Sequence, residues 1–345
     1  MHAKLLTCIL HGPDVFDEGD AVFICEALIP DNIIVAGVMG RTAARESGLP
    51  VSYASSPPSI IINQIRGDCI LVNRGKTPIS GRRFGEIVAS RIHGGRGLIH
   101  IECSDQICYL WNGGDRDLAI MVSERLGYPM VEAWSAIDRG SEMRRICGCI
   151  PGEPVFIEGI VIGYATSDCV VISRNNSTII PVSGIRLKPH GVLKLSALGD
   201  LPLDQAWCKS GQIRSSLPRS PERLAPQIGR IAVIDHSAFA IYQVVTPDTC
   251  GMVTIGDDTT AVCGHIGAAS GVPVFGITDG DADEIVPEAY APGSVIVQTI
   301  SETDDELGRE VASVLPDRGD LSWDETVSSL LDRFFGRIRM VRDLR

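Results

Sequence analysis

Three stretches in the last third of the chain run from apolar, β-branched residues straight into acids. Ile231-Ala-Val-Ile-Asp235-His236 ends in Asp-His, and Val253-Thr-Ile-Gly256-Asp257-Asp258-Thr259-Thr260 ends in Gly-Asp-Asp followed by two threonines. Phe275-Gly-Ile-Thr278-Asp279-Gly280-Asp281-Ala282-Asp283 ends in alternating aspartates. Carboxylates brought together repel unless a cation separates them. Mg2+ suits that task, because it takes one or two carboxylates and completes its shell with water and phosphate oxygens. Asp257, Asp258, Asp279, Asp281 and Asp283 are therefore the candidate metal ligands. Thr259 and Thr260 open a helix whose N–H groups and dipole favour a phosphate. Asp235 and His236 are the candidates to position or deprotonate a water or acceptor. This set describes Mg2+-dependent phosphoryl transfer or hydrolysis on a nucleotide or phosphorylated small molecule. Each motif also has a plain structural reading: Asp at a helix start is a cap, Asp-Gly is turn chemistry, and His236 or His265 can be a hydrogen-bonded structural histidine.

A second set lies in the first half. His11-Gly12-Pro13-Asp14, Gly37-Val-Met-Gly40-Arg41-Thr42, Asn73-Arg74-Gly75-Lys76-Thr77-Pro78 and Asn112-Gly113-Gly114-Asp115 each follow a strand-like run. Backbone N–H groups and cations at His11, Gly12, Gly40, Arg41, Lys76 and Thr77, with Arg74 beside them, suit an anionic ligand. Plain strand-to-helix turns with solvated cations are the alternative. Lys76-Thr77 lacks the rest of a Walker A motif, since Ile70 stands where its first glycine belongs, and no Gly-x-Gly-x-x-Gly occurs.

The elements that must position these residues read as α/β. Apolar runs at Leu5–Leu10, Asn32–Ala36, Asp68–Val72, Leu98–Glu102 and Ile107–Trp111 alternate with helical patterns at Gly19–Ile29, Ser59–Arg66, Ser80–Ile92 and Asp115–Leu126. Near-continuous apolar strands between helices predict a parallel sheet covered on both faces. Val155–Val161, Asp168–Ser173, Thr178–Val182 and Val192–Leu195 read as short strands of a β module, with a hairpin tip at Asn175-Asn176. Arg214 to Pro226 reads as a linker. The α/β pattern returns with strands at Ile231–Asp235, Met252–Gly256, Val272–Thr278 and Ser294–Thr299 and helices at Ala238–Val245 and Thr259–Ser270. The expected architecture is two Rossmann-like parallel-sheet lobes, residues 1–149 and 226–345, with a small β module and linker between them at 150–225. Ser322-Trp-Asp-Glu325 opens a last helix, with Val327, Leu330, Leu331, Phe334, Ile338 and Val341 on one face. Arg333, Arg337, Arg339, Arg342 and Arg345 would make it a basic helix able to dock an acidic partner protein, nucleic acid or a second copy of the chain; packing of its apolar face on the parent domain with the arginines solvated is the plainer alternative.

Composition bounds the rest. Lys and Arg number 31 against 43 Asp and Glu, a net charge of −12, which disfavours binding to a nucleic-acid backbone. No apolar run reaches the ~18 residues of a membrane span. The 11 cysteines include no Cys-x-x-Cys; Cys147-Gly-Cys149 and Cys103/Cys108 are the close pairs. Reduced, inert thiols and a cytoplasmic location are the expectation.

The strings His11-Gly-Pro-Asp-Val-Phe-Asp17, Gly37-Val-Met-Gly-Arg41, Asn73-Arg-Gly-Lys-Thr77, Ala165-Thr-Ser-Asp168, Gly256-Asp-Asp-Thr-Thr260 and Gly276-Ile-Thr-Asp-Gly-Asp281 together resemble an archaeal family found mainly in methanogens, domain of unknown function 2117. The resemblance spans about residue 4 to about residue 300. It implies a cytoplasmic archaeal protein and carries no known activity or catalytic residue. A looser likeness is to Toprim domains, which hold Mg2+ with an Asp-x-Asp such as Asp279-Gly-Asp281, with Asp235 where the Toprim glutamate would stand. Two alternatives therefore accompany the enzyme reading. One is a non-catalytic ligand-binding or assembly factor linked to methanogen metabolism; the other is Toprim-like, Mg2+-dependent nucleic-acid processing.

Overall fold

The computed structural model describes residues 5–136, 142–175, 178–197, 199, 202–204, 206–221, 223–316 and 319–345. It is a mixed α/β protein that divides into two compact units, Met1–Gln212 and Ile213–Arg345. No helix among the described residues is long and apolar enough to cross a membrane.

Unit 1 opens with β1 (Leu6–His11), α1 (Asp14–Asp17), α2 (Asp20–Leu28), β2 (Asn32–Ala36), α3 (Val38–Ser47), β3 (Ser52–Ala54), α4 (Pro58–Gln64), β4 (Asp68–Asn73), α5 (Pro78–Ser90), β5 (Leu98–Glu102), β6 (Ile107–Trp111), α6 (Arg116–Leu126) and β7 (Met130–Ala133). The strands form one sheet in the order β3-β2-β1-β4-β5-β6-β7. Alternate residues of the apolar strands feed two cores, as a sheet covered on both faces requires. Cys8, Leu10, Val35, Ile70, Val72 and Ile101 pack with Ile24 of α2 and Val122 of α6. Ile9, Ala36, Leu71 and Trp111 pack with Ile61 and Ile62 of α4 and Val88 of α5. Every strand pair is parallel except β5 and β6. The connection Cys103-Ser-Asp-Gln106 is too short for a crossover, which takes about a dozen residues, so an antiparallel pair interrupts the expected parallel sheet.

The same unit continues with β8 (Met143–Cys147), β9 (Pro154–Ile157), β10 (Ile160–Ala165), β11 (Cys169–Asn175), β12 (Thr178–Ser183), β13 (Ile185–Leu187), α7 (Pro189–Ala197) and β14 (Cys208–Ser210). Two antiparallel sheets, β13-β10-β9-β14 and β12-β11-β8, share a core that includes Ile146, Val155, Ile157, Ile162, Val170 and Ile172. Two sequence expectations fail here. Val155–Val161 is a hairpin, because Glu158 and Gly159 both take positive φ (49° and 82°) and turn the chain. Val192–Leu195 lies inside α7, where Pro189 is preorganised for the first helical turn and Leu195 is buried. Asn175 pairs with Thr178 at the hairpin end, and Asn176 lies outside the described residues.

Unit 2 contains β15 (Ile228–Asp235), α8 (Ile241–Val244), β16 (Thr249–Ile255), α9 (Asp257–Ser270), β17 (Val274–Thr278), β18 (Val295–Thr299), α10 (Asp304–Val314), β19 (Leu321–Ser322), α11 (Trp323–Arg333) and β20 (Ile338–Asp343). Its sheet runs β19-β15-β16-β17-β18-β20, with β15 to β18 parallel and both edge strands antiparallel. Val253, Ile255, Phe275, Ile277, Val295 and Val297 bury against Leu307 and Val311 of α10 and Val327 and Leu330 of α11. The basic C-terminal helix is not formed. The Ser322 hydroxyl caps α11 by accepting from the Glu325 N–H, but the helix stops at Arg333, Gly336 takes a φ of 83°, and Ile338–Asp343 adds to the β18 edge. Arg337 pairs with Glu302 and Glu310, Arg342 with Glu288 and Arg345 with Asp343, so these arginines serve the parent unit. Nor is Arg214–Pro226 a free linker: Arg214 is buried, and the Ile213 and Ala225 N–H groups donate to Ile285 and Gly271 carbonyls of unit 2.

Candidate functional site

Parallel strands β15, β16, β17 and β18 leave their carboxyl ends along one edge of unit 2, where open α/β sheets bind ligands. Gly256, at φ 103°, turns the chain from β16 into α9, and a Cβ there would lie 3.0 Å from the His236 Nε2. The next residue, Asp257, is buried. Its Oδ2 accepts from the Asp279 N–H at 2.9 Å, and both its oxygens lie 3.2 Å from the Gly280 N. This clasp draws the loop after β17 over the start of α9. One carboxylate oxygen each from Asp257, Asp279 and Asp281 lie within 4.8 Å of one another. Asp279 Oδ1 is buried and has no hydrogen-bond partner. Burial, chiefly, pushes the Asp257 carboxyl up to about 6; the Asp279 and Gly280 N–H groups oppose the rise, while the charges of Asp279 and Asp281 add to it.

The other expected ligands stand apart. Asp258 Oδ1 accepts from the Asp283 N–H at 3.1 Å, and neither Asp258 nor Asp283 joins the three-carboxylate group. Helix α9 starts two residues earlier than its sequence pattern suggested, which puts both Asp257 and Asp258 in its first turn. The hydrogen-bond ladder of α9 begins with the Thr260 N–H donating to the Gly256 carbonyl. The Thr260 hydroxyl is buried against that of Thr254 at 2.8 Å. Of the two threonines, Thr259 therefore stands ahead of the ladder and Thr260 faces inward. His265 is fully buried, its Nδ1 3.1 Å from the Pro287 carbonyl.

Asp235 and His236 come together as expected, His236 Nδ1 lying 2.6 Å from Asp235 Oδ1. A third member was missed: Asp305 Oδ1 is 3.6 Å from the same nitrogen. Asp305 sits in the first turn of α10, which Thr303 and Glu306 open with a reciprocal capping box. The Thr303-Asp-Asp-Glu306 spacing after the fourth strand was the available signal.

The corresponding edge of unit 1 is held differently. The His11 ring, at the end of β1, stacks on Phe84 with centroids 4.5 Å apart. Burial, and secondarily the charge of Lys209, lowers its pKa to about 4, so the ring is neutral near pH 7. A Cβ on Gly40 would meet Val35 Cγ1 at 3.3 Å and the Gly12 carbonyl at 3.4 Å, so Gly40 keeps α3 close to β2 and the turn after β1, while Gly12 supplies that turn with a φ of 87°. The Arg41 guanidinium lies 4.7 Å from the centre of the Tyr53 ring. Arg74 makes a two-pronged pair with Asp20. Lys76 pairs with Glu153 and also donates to the Ser210 hydroxyl at 2.9 Å. Thr77 caps α5 in a capping box with Ser80. Glu102 Oε1 accepts from the Gly75 N–H at 2.7 Å and fixes the loop between them. Lys209, absent from the sequence-based set, is half-buried, and desolvation lowers its pKa, with Asp14, Lys76 and Glu153 as the nearby charges.

No solved structure matches the chain. An uncharacterised protein of Methanocaldococcus jannaschii is 31% identical over 327 residues, covering 87% of this chain and 88% of that protein. The family described as an uncharacterised protein conserved in archaea matches residues 8–318. The chain thus belongs to that archaeal family, domain of unknown function 2117.

Proposed function

We propose that unit 2 binds a divalent cation, Mg2+ by its hard-oxygen donor set, through Asp279 and Asp281 with Asp257 behind them. The cation holds a nucleotide or phosphorylated small molecule against the start of α9. The observation that carries this reading is the grouping of three carboxylate oxygens within 4.8 Å, one of the residues keeping a buried oxygen with no partner. Burial, chiefly, holds the Asp257 carboxyl at about 6, and a divalent ion beside it would favour the charged form and offset the like charges of Asp279 and Asp281. The reaction this arrangement suits is phosphoryl transfer or hydrolysis, with His236, oriented by Asp235 and Asp305, accepting a proton from the attacking hydroxyl or water. The order β3-β2-β1-β4-β5 supports a Rossmann-like reading of unit 1, and 11 free cysteines support a reducing, cytoplasmic setting.

Calorimetric titration of the full chain with Mg2+ tests the reading. Saturable binding that is lost in Asp279→Asn/Asp281→Asn is the expected result, and a wild-type protein that binds no Mg2+, or a double variant that binds it equally, overturns it. A second reading, ligand binding without turnover, draws on Asp257, whose two oxygens already clasp the Asp279 and Gly280 amides. Nucleotides that raise the melting temperature with Mg2+ yet are recovered unchanged would select it.

A further inference from the structure

The β module carries a feature of its own, outside the sets of residues gathered at the two edges. Cys147, the last residue of β8, is paired in register with Cys169, the first of β11. Their Sγ atoms lie 2.9 Å apart, and both residues are partly exposed. The Arg174 N–H donates to the Glu142 carbonyl, which marks that pair as hydrogen-bonded; alternation along the ladder then makes Cys147 and Cys169 a non-hydrogen-bonded pair. Backbones approach most closely at such pairs, Cα to Cα about 4.5 Å, at the short end of the range a disulfide spans. Ile146 and Val170, their neighbours in sequence, point into the module core, so the two thiols occupy the outer face of the sheet.

We propose that Cys147 and Cys169 are a redox-active dithiol that closes to a cross-strand disulfide by exchange with a low-molecular-weight disulfide. One thiolate attacks a sulfur of the small disulfide and releases one small thiolate. The second cysteine then attacks the protein sulfur of the mixed disulfide and releases the other. The dithiol is oxidised, the small disulfide is reduced to two thiols, and the two cysteine protons end on those thiols. Burial, with the neighbouring Cys169 adding to it, pushes the Cys147 thiol up to about 12, which keeps its thiolate scarce at neutral pH and makes closure slow rather than instantaneous. Both cysteines are partly exposed, and an exposed disulfide belongs to the labile, reducible class rather than to the permanent structural one. It also reaches the other half of unit 1. Gly148 follows Cys147 directly, and a Cβ there would come within 2.7 Å of the Thr77 hydroxyl, so closure fixes the strand that abuts the α5 cap.

The test uses the full chain and oxidised glutathione, with peptide mapping by mass spectrometry and hydrogen exchange at Thr77–Ser80. A peptide linked through Cys147 and Cys169, present in the wild type and in Cys149→Ser, absent in Cys147→Ser and in Cys169→Ser, and reopened by reduced glutathione, is expected. Exchange at the α5 cap should slow in the oxidised form. Oxidation that links other cysteines, leaves only mixed disulfides or yields no linked peptide overturns the proposal. A link that forms while exchange at Thr77–Ser80 is unchanged overturns its coupling to the cap.

Discussion

The two sheet edges put polar residues in equivalent places and treat them in opposite ways. In unit 1 two of the cations have carboxylate partners, Arg74 in Asp20 and Lys76 in Glu153, and Thr77 closes a capping box. In unit 2 the carboxylates gather with one another, and the groups that answer Asp257 are neutral backbone amides. An edge whose charges are matched internally is finished by folding. On the proposed reading, an edge that accumulates one sign is completed by an added cation.

The sharpest way to break this contrast is to unmatch the finished edge. Arg74→Ala leaves the Asp20 side chain, 10% exposed, without its partner. Removing one member of a partly buried pair should lower unfolding stability by about 2–3 kcal/mol in urea titrations. A loss below about 0.5 kcal/mol would show that the pair is merely a surface contact.

Acid separates the two edges in sign. His11 falls from the unperturbed 6.5 to about 4 in the folded chain, so its contribution is complete above pH 6.5 and is lost as the pH falls towards 4. That slope is at most about 1.4 kcal/mol per pH unit. Asp257 moves the other way, from 3.8 to about 6, so the folded form holds the extra proton and unit 2 loses stability as the pH rises through that window. Hydrogen exchange resolved by unit, corrected for intrinsic rates, should show unit 1 loosening and unit 2 tightening between pH 6.5 and 4. Parallel behaviour of the two would dissolve the contrast.

Thr77→Ala removes the cap of α5 and should cost about 1 kcal/mol, read by the same urea titration. The smallest effect sharpens the comparison most. Without divalent ions, Asp281→Asn should leave stability unchanged or raise it by up to about 0.5 kcal/mol, since it removes one like charge from the group. With Mg2+ present the ranking should reverse, because the wild type gains binding energy that the variant lacks. A variant less stable than wild type in both conditions would show that the other contacts of the Asp281 side chain outweigh the relief of like charge.

Much of this was legible in the sequence where the signal was local. Runs such as Ile231–Asp235 and Val274–Thr278 announce strands, and in a parallel sheet the residue after each run falls on one edge, so Asp235, Asp257, Asp279 and Asp281 were found. Long-range pairing was not legible. Ile338-Arg-Met-Val-Arg342 satisfies a strand period nearly as well as a helical one, and only the open β18 edge decides between them. Lys209, Asp305 and the Cys147–Cys169 pair gain their neighbours from segments distant in sequence, which no local pattern encodes. Thr260 was legible only in part: its position in the helix turn follows from the local pattern, but the direction of its side chain depends on Thr254 across the face of β16.

The family match ends at residue 318, yet Trp323, Val327, Leu330 and Phe334 line the unit 2 core and β20 covers the flank of β18. Trimming the protein to that boundary would bare an oily sheet surface and an unzipped strand at once, the two features through which chains stick to each other. For expression, the last 27 residues are structural roof rather than tail, and a shortened version should collect in inclusion bodies.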